Sequence, residues 1–230
     1  MSDHEEQPQT FLRYISHEIK TPLTSIIEGS RLLDKKLLGE MNQEQQEITN
    51  TLVRSSAELQ RAIVNLLDYN CSLALKKVGW RTRLNLSQLI KHALSNNQLS
   101  IRQKQLAINT QLERCFVDVD HGQLLTVFDN LISNAIKHSP AHSTIKIKLD
   151  NIHSKEVCVL IEDQGLGIKE EDREFIFDPF YVGMQPRQSA LKRTGLGLSI
   201  AKRYIDDHSD KLLLLKSLDG AVFKVTLPRN

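Results

Sequence analysis

Apolar and polar positions alternate in two different rhythms along this chain. From Phe11 to Leu38 the apolar residues Phe11, Leu12, Ile15, Ile19, Leu23, Ile26, Ile27, Leu33 and Leu37 recur at spacings of three and four. That period predicts one stripe of a long helix. A second stripe runs through Ile48, Leu52, Leu59, Ile63, Leu66, Leu67, Leu73 and Leu75, after a polar break from Gly39 to Asn42 that can turn the chain. Two amphipathic helices of roughly 30 residues with a short connection form an antiparallel hairpin, whose apolar face the hairpin alone cannot bury. The expected remedy is a homodimer through residues 11–75, giving a four-helix bundle.

Beyond Trp80 the segments become shorter and mixed. Leu89 to Leu94 and Gln123 to Lys137 read as helices. Ile145 to Leu149, Val157 to Ile161, Leu212 to Leu215 and Phe223 to Leu227 are alternating or β-branched enough to read as strands. Strands and helices without regular βαβ alternation predict an α/β sandwich of the α+β kind, with helices on one face of a sheet. A boundary near Lys77 to Arg83 then gives a lead-in or linker at 1–10, a helical domain at 11–78 and a mixed domain at 79–230. Asp178 to Thr194 holds Gly183, Pro186 and several cations but almost no apolar period, and is predicted to be a lid loop.

Composition narrows the function classes. Lys plus Arg (30) nearly balances Asp plus Glu (28), and the formal charge of +2 argues against a nucleic-acid partner or a charge-driven lipid surface. Cys71, Cys115 and Cys158 are odd in number and lack metal-ligand spacing, which fits reduced structural thiols in a cytosol. No apolar run approaches the ~20 residues of a membrane span, and Met1 to Thr10 lacks the apolar core of a signal peptide. The chain as it stands is therefore expected to be soluble.

Three constellations carry chemistry. The first is Ser16-His17-Glu18-Ile19-Lys20-Thr21-Pro22, with His17 beside the apolar stripe of the first helix. Imidazole is a nucleophile near neutral pH, and a neighbouring carboxylate such as Glu18 can fix its tautomer or take its proton. Pro22 should bend the helix one turn later. In the second, Asn130 and Asn134 stand at i and i+4 on one helical face with Lys137 close by. Amide oxygens suit Mg²⁺, which keeps waters and substrate phosphates among its ligands. The third pairs Asp163-Gln-Gly165-Leu-Gly167-Ile168, after a strand, with Thr194-Gly195-Leu196-Gly197-Leu198, which opens a helix where free N–H groups favour phosphate. Either glycine motif alone is common in ordinary turns.

The first heptapeptide resembles, residue for residue, the H-box of the dimerisation and phosphotransfer domain of bacterial sensor histidine kinases. The other segments, in this order, resemble the N, G1 and G2 boxes of the ATP-binding domain that those kinases share with the Hsp90 chaperone, type II topoisomerases and mismatch-repair ATPases. Phe177-Asp-Pro-Phe180 looks like the F box between them. The resemblance runs from about Phe11 to Leu227.

It implies a dimeric helical bundle followed by an α/β sandwich of the GHKL type, which uses ATP and Mg²⁺ to phosphorylate His17 and passes the phosphoryl group to a response regulator. Glu18 would be the base, and Thr21 would serve a reverse, phosphatase role. Asn134 would be the principal Mg²⁺ ligand, with Asn130 and Lys137 as metal and phosphate neighbours, and Asp163 would read adenine. His138, Gly165, Gly167, Ile168, Phe180, Arg193, Thr194, Gly195, Leu196, Gly197 and Leu198 would line the nucleotide pocket and its lid. Relatives are mostly inner-membrane proteins with a cytoplasmic core, so membrane attachment is expected only through segments outside this chain. Two departures stand out: Gly220-Ala221 where relatives carry Gly-Thr, and His208-Ser-Asp where they carry His-Gly-Gly. A nucleotide-regulated scaffold, an ATPase or a serine kinase would each lack a box or the acceptor histidine, and here none is missing.

Overall fold

The computed structural model describes residues 24, 26–29, 41–53, 55–56, 59, 63, 81–153, 156–183, 195–207, 210–217 and 219–229. The chain divides between Leu75 and Lys76 into two compact units. In the first, residues 26–29 and 43–53 are helical. The second of these helices starts where the polar break predicts a turn. Asn42 Oδ1 accepts from the Gln45 amide at 2.9 Å while Gln45 Oε1 accepts from the Asn42 amide at 3.0 Å, so two otherwise orphaned donors are satisfied reciprocally. Ile27, Thr49 and Ser56 are buried, whereas Ile48 (61%), Leu52 (46%) and Leu59 (53%) of the second apolar stripe are exposed.

The second unit is built on strands β1 (Thr82–Asn85), β2 (Ala107–Leu112), β3 (Phe116–Val119), β4 (Thr144–His153), β5 (Glu156–Glu162), β6 (Lys211–Leu215) and β7 (Val222–Pro228). Its helices are α1 (Leu86–Asn96), α2 (Gln98–Gln103), α3 (His121–His138) and α4 (Gly197–Asp207), with a 3₁₀ turn at Glu170–Asp172. The main sheet has the order β2-β4-β5-β7-β6, and β2 and β4 are its parallel pair. A separate antiparallel pair joins β1 to β3.

Register explains the layering. The cross-strand pairs Ile147 with Ile161, Leu149 with Val159, Ile161 with Phe223 and Val225 with Leu212 share one face and are buried. The opposite face carries Lys146, Lys148, Leu160 and Lys224, and Lys146 pairs with Glu162 at 3.0 Å in solvent. A sheet with one oily and one wet face needs a single helical layer. Helix α3 supplies its centre. Asp120 caps the helix by accepting from the Gln123 amide at 2.9 Å. Leu124, Val127, Phe128, Leu131, Ile132, Ala135 and Ile136 then form its buried stripe, flanked by α1 and α4.

The four predicted strands and two predicted helices are present with wider bounds, most of all β4 at 10 residues and α1 at 11 residues. Strands β1, β2 and β3 and helix α2 were not predicted. Thr82, Arg83 and Asn85 in β1, and Asn109, Thr110 and Gln111 in β2, give no apolar alternation, so pairing with partners distant in sequence decides their conformation. Among the described residues no helix is long and apolar enough to cross a membrane.

Candidate functional site

The three motifs of the second unit meet at α3. Asn130 and Asn134 lie on its half-buried side, next to the apolar stripe that fixes the helix against the sheet. The Nδ2 of Asn130 is buried without a hydrogen-bond partner. The Asn134 side chain makes no hydrogen bond among the described residues. At the start of α4, a Cβ added to Gly197 would stand 2.9 Å from Asn130 Oδ1, so glycine lets the helix N-terminus approach that amide. Lys137 is exposed and His138 half-buried at the last turn of α3.

Asp163 lies just past the end of β5 and is buried, at 2% exposure. Its Oδ1 accepts from the backbone amides of Gly165 at 2.8 Å and Ala221 at 3.2 Å, and its Oδ2 has no hydrogen bond among the described residues. Burial pushes its pKa above the ordinary carboxylate range, against the lowering effect of those two amides. A Cβ at Gly165 would come within 2.7 Å of the His138 carbonyl oxygen. The Asp163 turn therefore sits directly against the end of α3. Behind it Gly220, at φ 73°, packs its Cα onto the Asp163 carbonyl, where no larger residue fits. Gly167, Ile168, Gly220 and Ala221 line a small cleft beside the turn, together with Lys169 and Arg173.

Phe180 and Gly195 form the remaining corner. Phe180 has φ 65° and donates its amide to the Gly195 carbonyl at 3.0 Å. Tyr181 follows and donates its hydroxyl to Asp172, a bond that, with partial burial and nearby acids, pushes its pKa up to about 12. Leu196 is buried and Leu198 half-buried at the entrance to α4.

The structure thus brings Asn130, Gly197, His138, Asp163, Gly165 and Gly220 together, with Phe180 and Gly195 paired nearby. His17, Glu18, Thr21, Arg193 and Thr194 lie outside the described residues. The main-chain donor at Ala221 was not legible in sequence, because no side chain reports it. An unpartnered buried amide, a carboxylate with one unbonded oxygen and glycines where side chains would intrude fit a nucleotide that brings donors, acceptors and a phosphate-bound cation.

Residues 119–230 match the family model described as histidine kinase-, DNA gyrase B- and HSP90-like ATPase, and residues 8–72 match the His Kinase A (phospho-acceptor) domain. The sensor histidine kinase GlrK of Escherichia coli K12 is 35% identical over 97% of this chain and 47% of its own length. The chain therefore spans about half of that relative. Among solved structures, the nucleotide-free catalytic domain of histidine kinase ThkA is 31% identical over 65% of this chain and 97% of its own, with a TM-score of 0.57. ThkA in complex with the response regulator TrrA aligns over 99% of this chain and 64% of that one, at 23% identity and TM-score 0.62. Full-length ShkA in complex with AMPPNP aligns over 96% and 46%, at 20% identity and TM-score 0.70. The last two likenesses speak for the fold alone.

Proposed function

Because the chain belongs to the sensor histidine kinase family, with phosphoacceptor and ATPase domains in that order, we propose that it transfers the γ-phosphoryl group of ATP to His17 and then to an aspartate of a response regulator. The observation that carries this reading is that α3 meets both glycine motifs, Gly197 against the Asn130 amide and the Asp163–Gly165 turn against the His138 carbonyl. The unbonded oxygen of Asp163 accepts from the amino group of adenine. Asn134, with Asn130 beside it, would hold Mg²⁺, which supplies neutralisation of the charge on the transferring phosphoryl group. Lys137, the amides at the start of α4 and the cations Arg187, Lys192 and Arg193 add to that neutralisation. His138, Ile168, Phe180, Thr194, Leu196 and Leu198 shape the walls.

In the transfer, a ring nitrogen of His17 forms a bond to phosphorus as the bond to the ADP oxygen breaks, and the ring proton passes to Glu18. Exposed Ile48, Leu52 and Leu59 support a homodimer of the hairpin, since three large aliphatic side chains along one helix call for a covering surface. The hairpin also offers the docking face for the regulator; ThkA, which shares this fold, is known in complex with the response regulator TrrA. Thr21, one helical turn after His17, is assigned to hold a water in line with the regulator's aspartyl phosphate in the reverse reaction. In the full-length parent this core lies at the cytoplasmic face of the bacterial inner membrane.

The decisive test is incubation with γ-labelled ATP and Mg²⁺. Label on His17 should survive alkali, be lost in acid and disappear in His17→Gln; acid-stable label, or label that persists in the variant, overturns the reading. For Thr21, phosphorylated regulator is mixed with the parent chain and with Thr21→Ala in the presence of ADP. Equal dephosphorylation at equal kinase activity removes the phosphatase role.

A further inference from the structure

The end of α3 is held by a residue that no motif contains. Lys104 directly follows α2, and its ammonium donates to the carbonyls of Ile136 at 2.8 Å, Lys137 at 2.8 Å and Ser139 at 2.9 Å. The last turn of a helix leaves its carbonyls without intrahelical partners. Here the Ala135 carbonyl accepts from the Ser139 amide, Lys104 takes the two that follow, and the His138 carbonyl faces Gly165. One cation thus satisfies a helix end whose dipole favours positive charge. Lys104 is itself fixed, because its amide donates to the Ser100 carbonyl at 3.2 Å and its own carbonyl accepts from the His142 amide at 3.0 Å. Gln105 and His142, at φ 52° and 64°, hold the two crossing loops in the left-handed conformation. Burial lowers the ammonium pKa from its ordinary value.

We propose that Lys104 is a positioning residue for the nucleotide. It sets the spacing between α3, which carries the metal-binding amides, and the Asp163–Gly165 turn, which takes the adenine. This rests on the nucleotide reading above. The His138 carbonyl touches the Gly165 Cα closely enough to exclude a Cβ, so movement of the last helical turn moves directly against the adenine side. Asn134 lies before the carbonyls that Lys104 holds, in the part of α3 pinned by buried Leu131, Ala135 and Ile136. Loosening the helix end therefore weakens base binding and leaves the amides of Asn130 and Asn134 in place, while the Lys137 ammonium reaches the phosphates through a flexible stem that absorbs a small shift of its backbone.

The test uses the full chain and measures autophosphorylation kinetics and the binding of a fluorescent ADP analogue for Lys104→Met, Lys104→Gln and Lys104→Arg. In Lys104→Met the KM for ATP and the Kd for the analogue should rise about tenfold, with kcat within about twofold of the parent. Lys104→Arg keeps charge and donors and should restore both to within about threefold. A merely structural lysine would lower the folded fraction, hence apparent kcat, and leave KM and Kd unmoved; that pattern overturns the proposal. Should Lys104→Met not fold, Lys104→Gln carries the same expectation, and an unchanged KM there overturns it equally. Failure of the parent chain to bind the analogue overturns the nucleotide reading and this inference together, whereas parent binding with unmoved variants overturns the inference alone.

Discussion

Among the described residues, the mixed unit buries the apolar stripe of α3 and the inner face of its sheet within a single chain and leaves only scattered aliphatics such as Leu99, Leu166 and Leu213 exposed, whereas the first unit leaves Ile48, Leu52 and Leu59 of one stripe in solvent and buries Thr49 and Ser56. In the mixed unit the sheet offers one oily face, α3 and α4 cover it with α1 beside α3, and that face is buried without help. In the hairpin the covering surface has to come from elsewhere. The difference teaches that residues of the mixed unit can bury their main apolar face within one copy, while the proposed dimer would tie the first unit to copy number. Stability of the first should not depend on protein concentration; that of the second should.

The largest expected effect breaks the self-contained half. Phe128 is fully buried at the centre of α3, and Phe128→Ala should cost about 3–5 kcal/mol of stability, measured by denaturant titration of the ATP domain. The hairpin dimer should survive. Next, Asn134→Ala should leave both halves folded and yet lower phosphorylation about 100-fold, because the transferring group loses its cation. Near-normal Mg²⁺-dependent activity would move the metal assignment to Asn130.

A smaller effect sharpens the acceptor side. Leu52→Ala removes ~0.7 kcal/mol of apolar burial per subunit, twice that per dimer, and should raise the dimer dissociation constant about tenfold by analytical ultracentrifugation. Melting of the ATP domain should not change. The smallest concerns Asp210, whose half-buried carboxyl is pushed up to about 7 by burial, against the lowering effect of Arg81. Its raised folded pKa means a contribution present below the ordinary value of 3.8 and lost progressively as pH rises through about 7. Asp210→Asn stays neutral, so it should be more stable than the parent by about 1 kcal/mol above pH 7, discounted for partial exposure, with the gap closing toward pH 4. A gap independent of pH would contradict this assignment.

Helix α3 was nearly complete in the sequence, from Gln123 to Lys137 against an observed His121–His138. Its apolar period is strong and Asp120 is a good cap, so local and tertiary preferences agree. The glycines of the site were legible as motifs, and the structure gives each a neighbour that a side chain would strike. Ala221 was less readable. As a departure from the family it looks like a lost hydroxyl, yet its main-chain amide anchors Asp163, and that role does not depend on which side chain follows Gly220. Lys104 reaches carbonyls 32 to 35 residues away, and β2 depends on β4 in the same manner, so neither leaves a local signature. For the acceptor histidine the sequence is the source of the assignment.

The bond from the Phe180 amide to the Gly195 carbonyl has a consequence for protein engineering. It joins the two ends of the segment between them, so the fold closes that loop at its root whatever lies inside. Closure entropy grows only slowly with length, and doubling the enclosed segment costs about 0.6 kcal/mol. Lengthening the chain between Phe180 and Gly195 should therefore cost the sheet little stability, so that any loss of activity would report on the proposed roles of Arg187, Lys192 and Arg193 and not on the fold.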